Sequence, residues 1–144
     1  MKNNNRPIII CVTPQGSCVR IIEKGIEIAA KEGREALVLS VIGTRYKNDL
    51  AALDMIYSLV EKHSLGLEVY FNNEPAITAA VIAKRMKTDC FVTGLPDSSG
   101  GSFISLVRDL LPDLKITMIG EDGVGYNMIP IGAGEIRSVK HNAF

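Results

Sequence analysis

The chain has 144 residues, 47% of them hydrophobic and 22% charged, a balance that suits one globular domain and excludes a disordered segment. Lys+Arg and Asp+Glu stand at 16 each, so the charge carries no footprint for nucleic acid or an anionic membrane. No apolar run approaches the roughly 18 residues of a bilayer-spanning helix. The opening Met1-Lys2-Asn3-Asn4-Asn5-Arg6-Pro7 leads into a strand without a secretory signal, which predicts a cytoplasmic protein.

Ile8-Ile9-Ile10-Cys11-Val12 is apolar without alternation, the pattern of a strand covered on both faces. Thr13-Pro14-Gln15-Gly16-Ser17 breaks it, because Pro14 cannot continue a central ladder and Gly16 permits a sharp turn. A helix is predicted over 18–32, with Ile22, Ile26 and Ala29 inward and Gly33 ending it. Residues 36–42 read as a second buried strand. After the Gly43-Thr44-Arg45-Tyr46 loop, a second helix over 49–63 turns Leu53, Ile56, Tyr57 and Val60 to the core.

Gly66 opens a third strand through Phe71. Asn72-Asn73-Glu74-Pro75 is a helix start with Pro75 pre-set for the first turn, and the third helix runs to Met86. Residues 90–94 form strand four. A fourth helix begins near Ser102 with Phe103, Leu106, Val107, Leu110 and Leu111 on one apolar stripe, and Pro112 closes it. Residues 115–119 are a fifth strand. Right-handed crossovers fold this βαβαβαβαβ order into an open, three-layer, Rossmann-like parallel sheet with helices on both faces. The domain is predicted over 1–119. Residues 120–144, interrupted by Gly120, Gly123, Gly125, Gly132 and Gly134, are expected to form an irregular tail, with 126–131 open as a short edge segment.

Cys11, Cys18 and Cys90 are odd in number and lack CxxC spacing, which argues against a disulfide framework or a zinc site. His63 and His141 lie far apart in sequence and are expected at the surface. No base stands near Ser98 or Ser99 to activate a serine, so no catalytic residue is predicted.

A doubly wound sheet binds ligands outside the carboxyl ends of its strands, where strand order reverses. If the first and fourth strands are the central neighbours, two small polar loops meet there. They supply a predicted phosphate cradle of Thr13, Pro14, Gln15, Ser17, Gly94, Ser99, Gly100, Gly101 and Ser102, with Val41 as an apolar wall for a base. The plainer reading of 98–102 is a turn followed by a helix cap.

Asn73-Glu74-Pro75-Ala76-Ile77, Ala83-Lys84 and Asp89-Cys90-Phe91-Val92-Thr93-Gly94 together resemble the third helix and fourth strand of the universal stress proteins, of the adenine-nucleotide alpha-hydrolase-like fold. The resemblance spans about 7–119. The opening Ile10-Cys11-Val12-Thr13-Pro14-Gln15-Gly16-Ser17 is most similar to the sensor domain of potassium-responsive histidine kinases. The resemblance implies a five-stranded parallel sheet in the order 3-2-1-4-5, a homodimer paired along the fifth strand, and a regulatory or stress-related binding role without catalysis. The family's ATP-binding loop reads G-x2-G-x9-G-S/T. Gly94 matches its first glycine and Gly101-Ser102 its last pair, whereas Asp97 replaces the second glycine and the spacer is short. Thr13 stands where ATP-binding members carry an aspartate. The implied ligand is of adenine-nucleotide type, with ATP, AMP or a cyclic dinucleotide open. The alternative is a dimerising interaction protein that has lost the pocket.

Overall fold

In the computed structural model, residues 6–13, 17–43, 50–95, 102–130 and 136–141 are described. The chain runs β1 (Ile8–Cys11), α1 (Cys18–Lys31), β2 (Ala36–Ile42), α2 (Leu50–Lys62), β3 (Gly66–Phe71), α3 (Pro75–Met86), β4 (Cys90–Gly94), α4 (Ser102–Leu110), β5 (Lys115–Ile119), β6 (Gly125–Pro130) and β7 (Ile136–His141). No helix among the described residues is long and apolar enough to cross a membrane.

The strands lie in one sheet in the order β3-β2-β1-β4-β5-β6-β7. Pairing is parallel from β3 to β5 and antiparallel from β5 to β7. This corrects the expected five-stranded, all-parallel sheet. The glycines that read as breakers after β5 build a hairpin turn instead. Gly120 N–H donates to the Val124 carbonyl at 2.9 Å, Gly123 N–H donates to the Gly120 carbonyl at 3.0 Å, and Gly123 takes φ +81°. Beyond the turn, β6 lies against β5, with Met128 opposite Ile116 and Asn127 opposite Thr117. Residues 125–130 and 136–141 of the expected irregular tail are therefore strands. The homodimer expected along the fifth strand finds no free edge, since β5 is paired on both sides within the chain.

Alternation along β1 explains the two cores. Ile8 and Ile10 point to the face covered by α1 and α2, and Ile9 and Cys11 to the face covered by α3 and α4. Gly25 lets α1 come down onto β1: a Cβ there would stand 2.5 Å from Ile10 Cδ1. Three helices end in the same way. Arg34, Leu65 and Thr88 donate their N–H groups to the carbonyls of Ala29, Val60 and Ala83, with Gly33, Ser64 and Lys87 at φ +65°, 55° and 57° just before them. Only the first of these ends spends a glycine.

Two helix faces differ from the expected stripes. Ile56 is buried in α2, but Tyr57 is 55% exposed. On α4 the sheet-facing positions are Ile104 and Val107, while Leu106 and Leu110 face outward, 51% and 48% exposed. A nine-residue helix packed on a flat sheet buries a narrower arc than its apolar stripe.

Candidate functional site at the carboxyl ends of β1 and β4

The chain leaves β1 for α1 on one face and leaves β4 for α4 on the other. Strand order therefore reverses between β1 and β4, the arrangement that opens a crevice at the carboxyl ends of two parallel strands. The local bonds follow that divergence. The β1–β4 register covers only Ile9 with Phe91 and Ile10 with Val92. Past it, β1 stays with β2, Val12 N–H donating to the Leu39 carbonyl at 3.0 Å. The other strand stays with β5, Leu95 N–H donating to the Ile119 carbonyl at 2.9 Å. Between them, the buried Thr93 hydroxyl donates to the Cys11 carbonyl at 3.0 Å, so a side chain replaces the ladder where the two strands part.

The first turn of α1 borders this crevice. Ser17 is half-buried in a helical conformation (φ −73°, ψ −12°), and its hydroxyl makes no capping bond. Its carbonyl accepts from Ile21 N–H at 3.3 Å. The first turn holds no acidic residue, and it carries Arg20, half-buried, whose Nε is buried without a hydrogen-bond partner. A guanidinium at the positive end of a helix opposes the dipole, and an unanswered buried donor costs about 1–3 kcal/mol. An anion at this helix end would answer both. Arg20 was not among the sequence-predicted site residues. The available signal was a basic residue in a first turn, where acidic ones are favoured.

Of the predicted cradle, Thr13, Ser17, Val41 and Gly94 come together at the carboxyl edge. Thr13 is exposed just past β1. Val41, next to the last residue of β2, is half-buried against the α3/α4 core. Gly94 ends β4, and packing explains its lack of a side chain: a Cβ would lie 2.9 Å from Ile21 Cδ1 of α1. Pro14, Gln15, Ser99, Gly100 and Gly101 lie outside the described residues. Ser102 opens α4, and its side chain lies outside them too.

The three cysteines are buried and form no disulfide. Burial pushes the Cys11 thiol far up, and it pushes that of Cys90 up to about 11, so neither forms a thiolate nucleophile near neutral pH. Among the described residues no group of three or more His, Cys, Asp or Glu is placed to hold a metal ion. A separate groove of about 630 Å³ runs between α2 and the outer strand β3, lined by Tyr57, Val60, Glu61, Ser64, Leu65, Leu67 and Val69. It lies away from the strand-order reversal, and its one charged side chain is a carboxylate, so it does not suit an anion.

No protein-family model matches the sequence, and no curated protein matches it significantly. Solved structures do match in fold. A universal stress protein from Archaeoglobus fulgidus is 18% identical with a TM-score of 0.53, the match covering 76% of this chain and 90% of that one. A protein of the universal stress protein family from Burkholderia pseudomallei is 12% identical with a TM-score of 0.55, covering 81% and 98%. A universal stress protein crystallised in complex with cAMP is 12% identical with a TM-score of 0.50, covering 81% and 97%. At these identities the likeness is one of fold: the chain has the α/β architecture of the universal stress proteins.

Proposed function

We propose that the chain is a non-catalytic regulatory module that binds a small ligand of the adenine-nucleotide class in the crevice between the carboxyl ends of β1 and β4. One observation carries this reading. The strands part at the reversal of strand order, held by Thr93 on Cys11, beside a first helix turn that carries Arg20, its buried Nε without a hydrogen-bond partner, instead of an acidic residue. Phosphate oxygens are the ligand atoms that such a helix end and a guanidinium accept best. Thr13, Pro14, Gln15, Ser17, Gly94, Ser99, Gly100, Gly101 and Ser102 line the phosphate path in this reading, and Val41 faces the base. Support for the ligand class comes from a structure of like fold that holds cAMP. In this reading binding itself is the activity, in a cytoplasmic protein responding to stress.

Thermal unfolding with ATP, AMP, cAMP and a cyclic dinucleotide, each up to millimolar concentration, tests the proposal. A ligand at 100 times its dissociation constant adds about 2.7 kcal/mol of stability. At least one nucleotide should raise the melting temperature, and Gly101→Val should abolish the rise while leaving the unliganded melt unchanged. No shift with any of the four overturns the proposal and leaves the alternative, an interaction protein of the same fold that has lost nucleotide binding.

A further inference from the structure

The outer surface of the α3/α4 layer is apolar where solvated helices are ordinarily polar. Ile77 and Val81, one turn apart on α3, are 50% and 57% exposed, and Leu106 and Leu110 repeat the spacing on α4. Helix phase brings the four side by side. On α3, Arg85 reaches back to Glu68 and Tyr70 of β3, so Ile77 lies on the other flank, toward α4, with Val81 facing out. On α4, Arg108 reaches Met128 of β6, so Leu106 and Leu110 lie on the flank toward α3. The two helices pack against each other. Single exposed apolar residues need no explanation, but a contiguous ridge of four does.

Charge is arranged around the ridge by helix. The end of α3 and the residue after it are basic and exposed at Lys84, Arg85 and Lys87 (Arg85 also serving β3). On the end of α4 and the loop after it, Asp109 and Asp113 are exposed, and the half-buried Arg108 of the same turn is directed away toward Met128. Both helices return from one parallel strand to the start of the next, so they run in the same direction.

We propose that this face docks a second copy of the chain, about a twofold axis parallel to the helices, with α3 of each copy lying along α4 of the other. Such an axis keeps the facing helices parallel and sets the basic end of α3 against the acidic end of α4 twice over, with the apolar ridges between. An axis across the helices would instead lay α3 antiparallel on α3 and lose the match. The free edge that strand pairing along β5 would need is already filled by β6. Two helices of 12 and 9 residues span about 18 and 14 Å, which falls short of the ~800 Å² per partner of a stable interface. The dimer is therefore a weak one, forming at micromolar or higher concentration.

Sedimentation velocity from about 5 to 500 μM tests it. The wild-type chain should pass from monomer to dimer over that range, and the L106E/L110E double variant should stay monomeric with an unchanged circular dichroism spectrum, since both positions are solvent-facing. Lys84→Glu alone and Asp109→Lys alone should each weaken the dimer several-fold, and the two together should restore it. A wild-type monomer throughout, a dimer indifferent to L106E/L110E, or no restoration by the double charge reversal overturns the proposal. None of these outcomes depends on nucleotide, so the crevice reading stands or falls separately.

Discussion

Arg34 and Arg20 sit at opposite ends of the same helix, and so at opposite ends of the parallel sheet, and they are treated in opposite ways. Arg34 follows the last turn of α1 at the amino end of the strands, its side chain only 6% exposed. Its guanidinium donates to the Arg6 carbonyl at 2.9 Å, the Pro7 carbonyl at 3.4 Å, Asp89 Oδ1 at 2.7 Å and Glu32 Oε1 at 3.2 Å. The Thr88 hydroxyl donates to the Pro7 carbonyl as well, tying the start of β4 to the start of β1. Arg20 is half-buried at the carboxyl end, where its buried Nε has no hydrogen-bond partner. The guanidinium at one end is consumed by the fold, and the Nε of the one at the other is left without a hydrogen-bond partner. A parallel sheet must be closed at one end to stay open at the other, and here the division falls along α1.

The largest effect that would break this contrast comes from Arg34→Ala. Removing the guanidinium takes the donor from the Arg6 carbonyl and from Asp89 Oδ1, while the Pro7 carbonyl keeps the Thr88 hydroxyl and Asp89 Oδ2 keeps Arg6 at 3.8 Å. Losing one member of a buried pair costs about 3–5 kcal/mol. Asp89 is 45% exposed and recovers water, so about 2–3 kcal/mol is expected, read as a lower urea midpoint. Any nucleotide-induced stabilisation should survive, because the loss is confined to the closed end. A variant that keeps its stability would show that the clasp does not hold the sheet.

Alkaline pH sharpens the contrast through two thiols. Cys90 opens β4 beside the clasp, and Cys11 ends β1 beside the crevice. Burial raises both, Cys90 to about 11 and Cys11 further, from the ordinary thiol value of 9.0. Above that value the unfolded chain loses these protons while the folded chain keeps them. The stabilisation is thus complete below pH 9 and drains as pH rises toward 11, at about 1.4 kcal/mol per pH unit for each thiol. Cys90→Ala and Cys11→Ala should each flatten the fall in urea midpoint above pH 9 by one proton. If only Cys90→Ala does so, the Cys11 thiol reaches solvent in the native state, and the carboxyl end is looser than its packing indicates.

The closed end was the harder one to see in the sequence, and the reason is distance along the chain. Strands β1, β2, β4 and β5 announce themselves as apolar runs, and Pro75 and Gly33 mark a helix start and a helix end. The clasp joins residues 27 to 81 positions apart, a relation no local pattern carries. The pairing of β6 onto β5 is hidden for a similar reason. Asn127 is 5% exposed in the sheet and stays there because Thr117, on another strand, donates to its Oδ1 at 2.8 Å. Ser64 and Lys87 adopt the left-handed helix ends that a reader of sequence awards to glycine. At the open end the reversal of strand order was inferred from alternation and family resemblance. Gly94 has a packing reason for its missing side chain that no local pattern carries, because Ile21, which a Cβ there would crowd, comes from a helix whose seat on the sheet is set by Gly25. Of the opening 10–17, whose likeness to the kinase sensor domains is a reading of sequence alone, Pro14, Gln15 and Gly16 lie outside the described residues.

The smallest expected change in stability is also the one that separates the two ends most cleanly. Arg20→Met keeps the length and the apolar stem of the side chain and removes a buried donor that has no partner. It also removes a positive charge from the positive end of α1, a gain of about 0.3–1 kcal/mol that offsets any lost packing. The unliganded urea midpoint should therefore shift by less than about 0.5 kcal/mol in equivalent stability, in the range of ordinary surface substitutions. The nucleotide-induced shift should fall substantially, because a charge-assisted contact to phosphate is worth about 1.5–3 kcal/mol, or roughly ten- to a hundredfold in affinity. Arg34→Ala should show the reverse profile, with stability lost and the ligand response kept. If Arg20→Met instead destabilises the chain by 2 kcal/mol or more, the guanidinium serves the fold at both ends of α1 and the carboxyl end holds nothing in reserve.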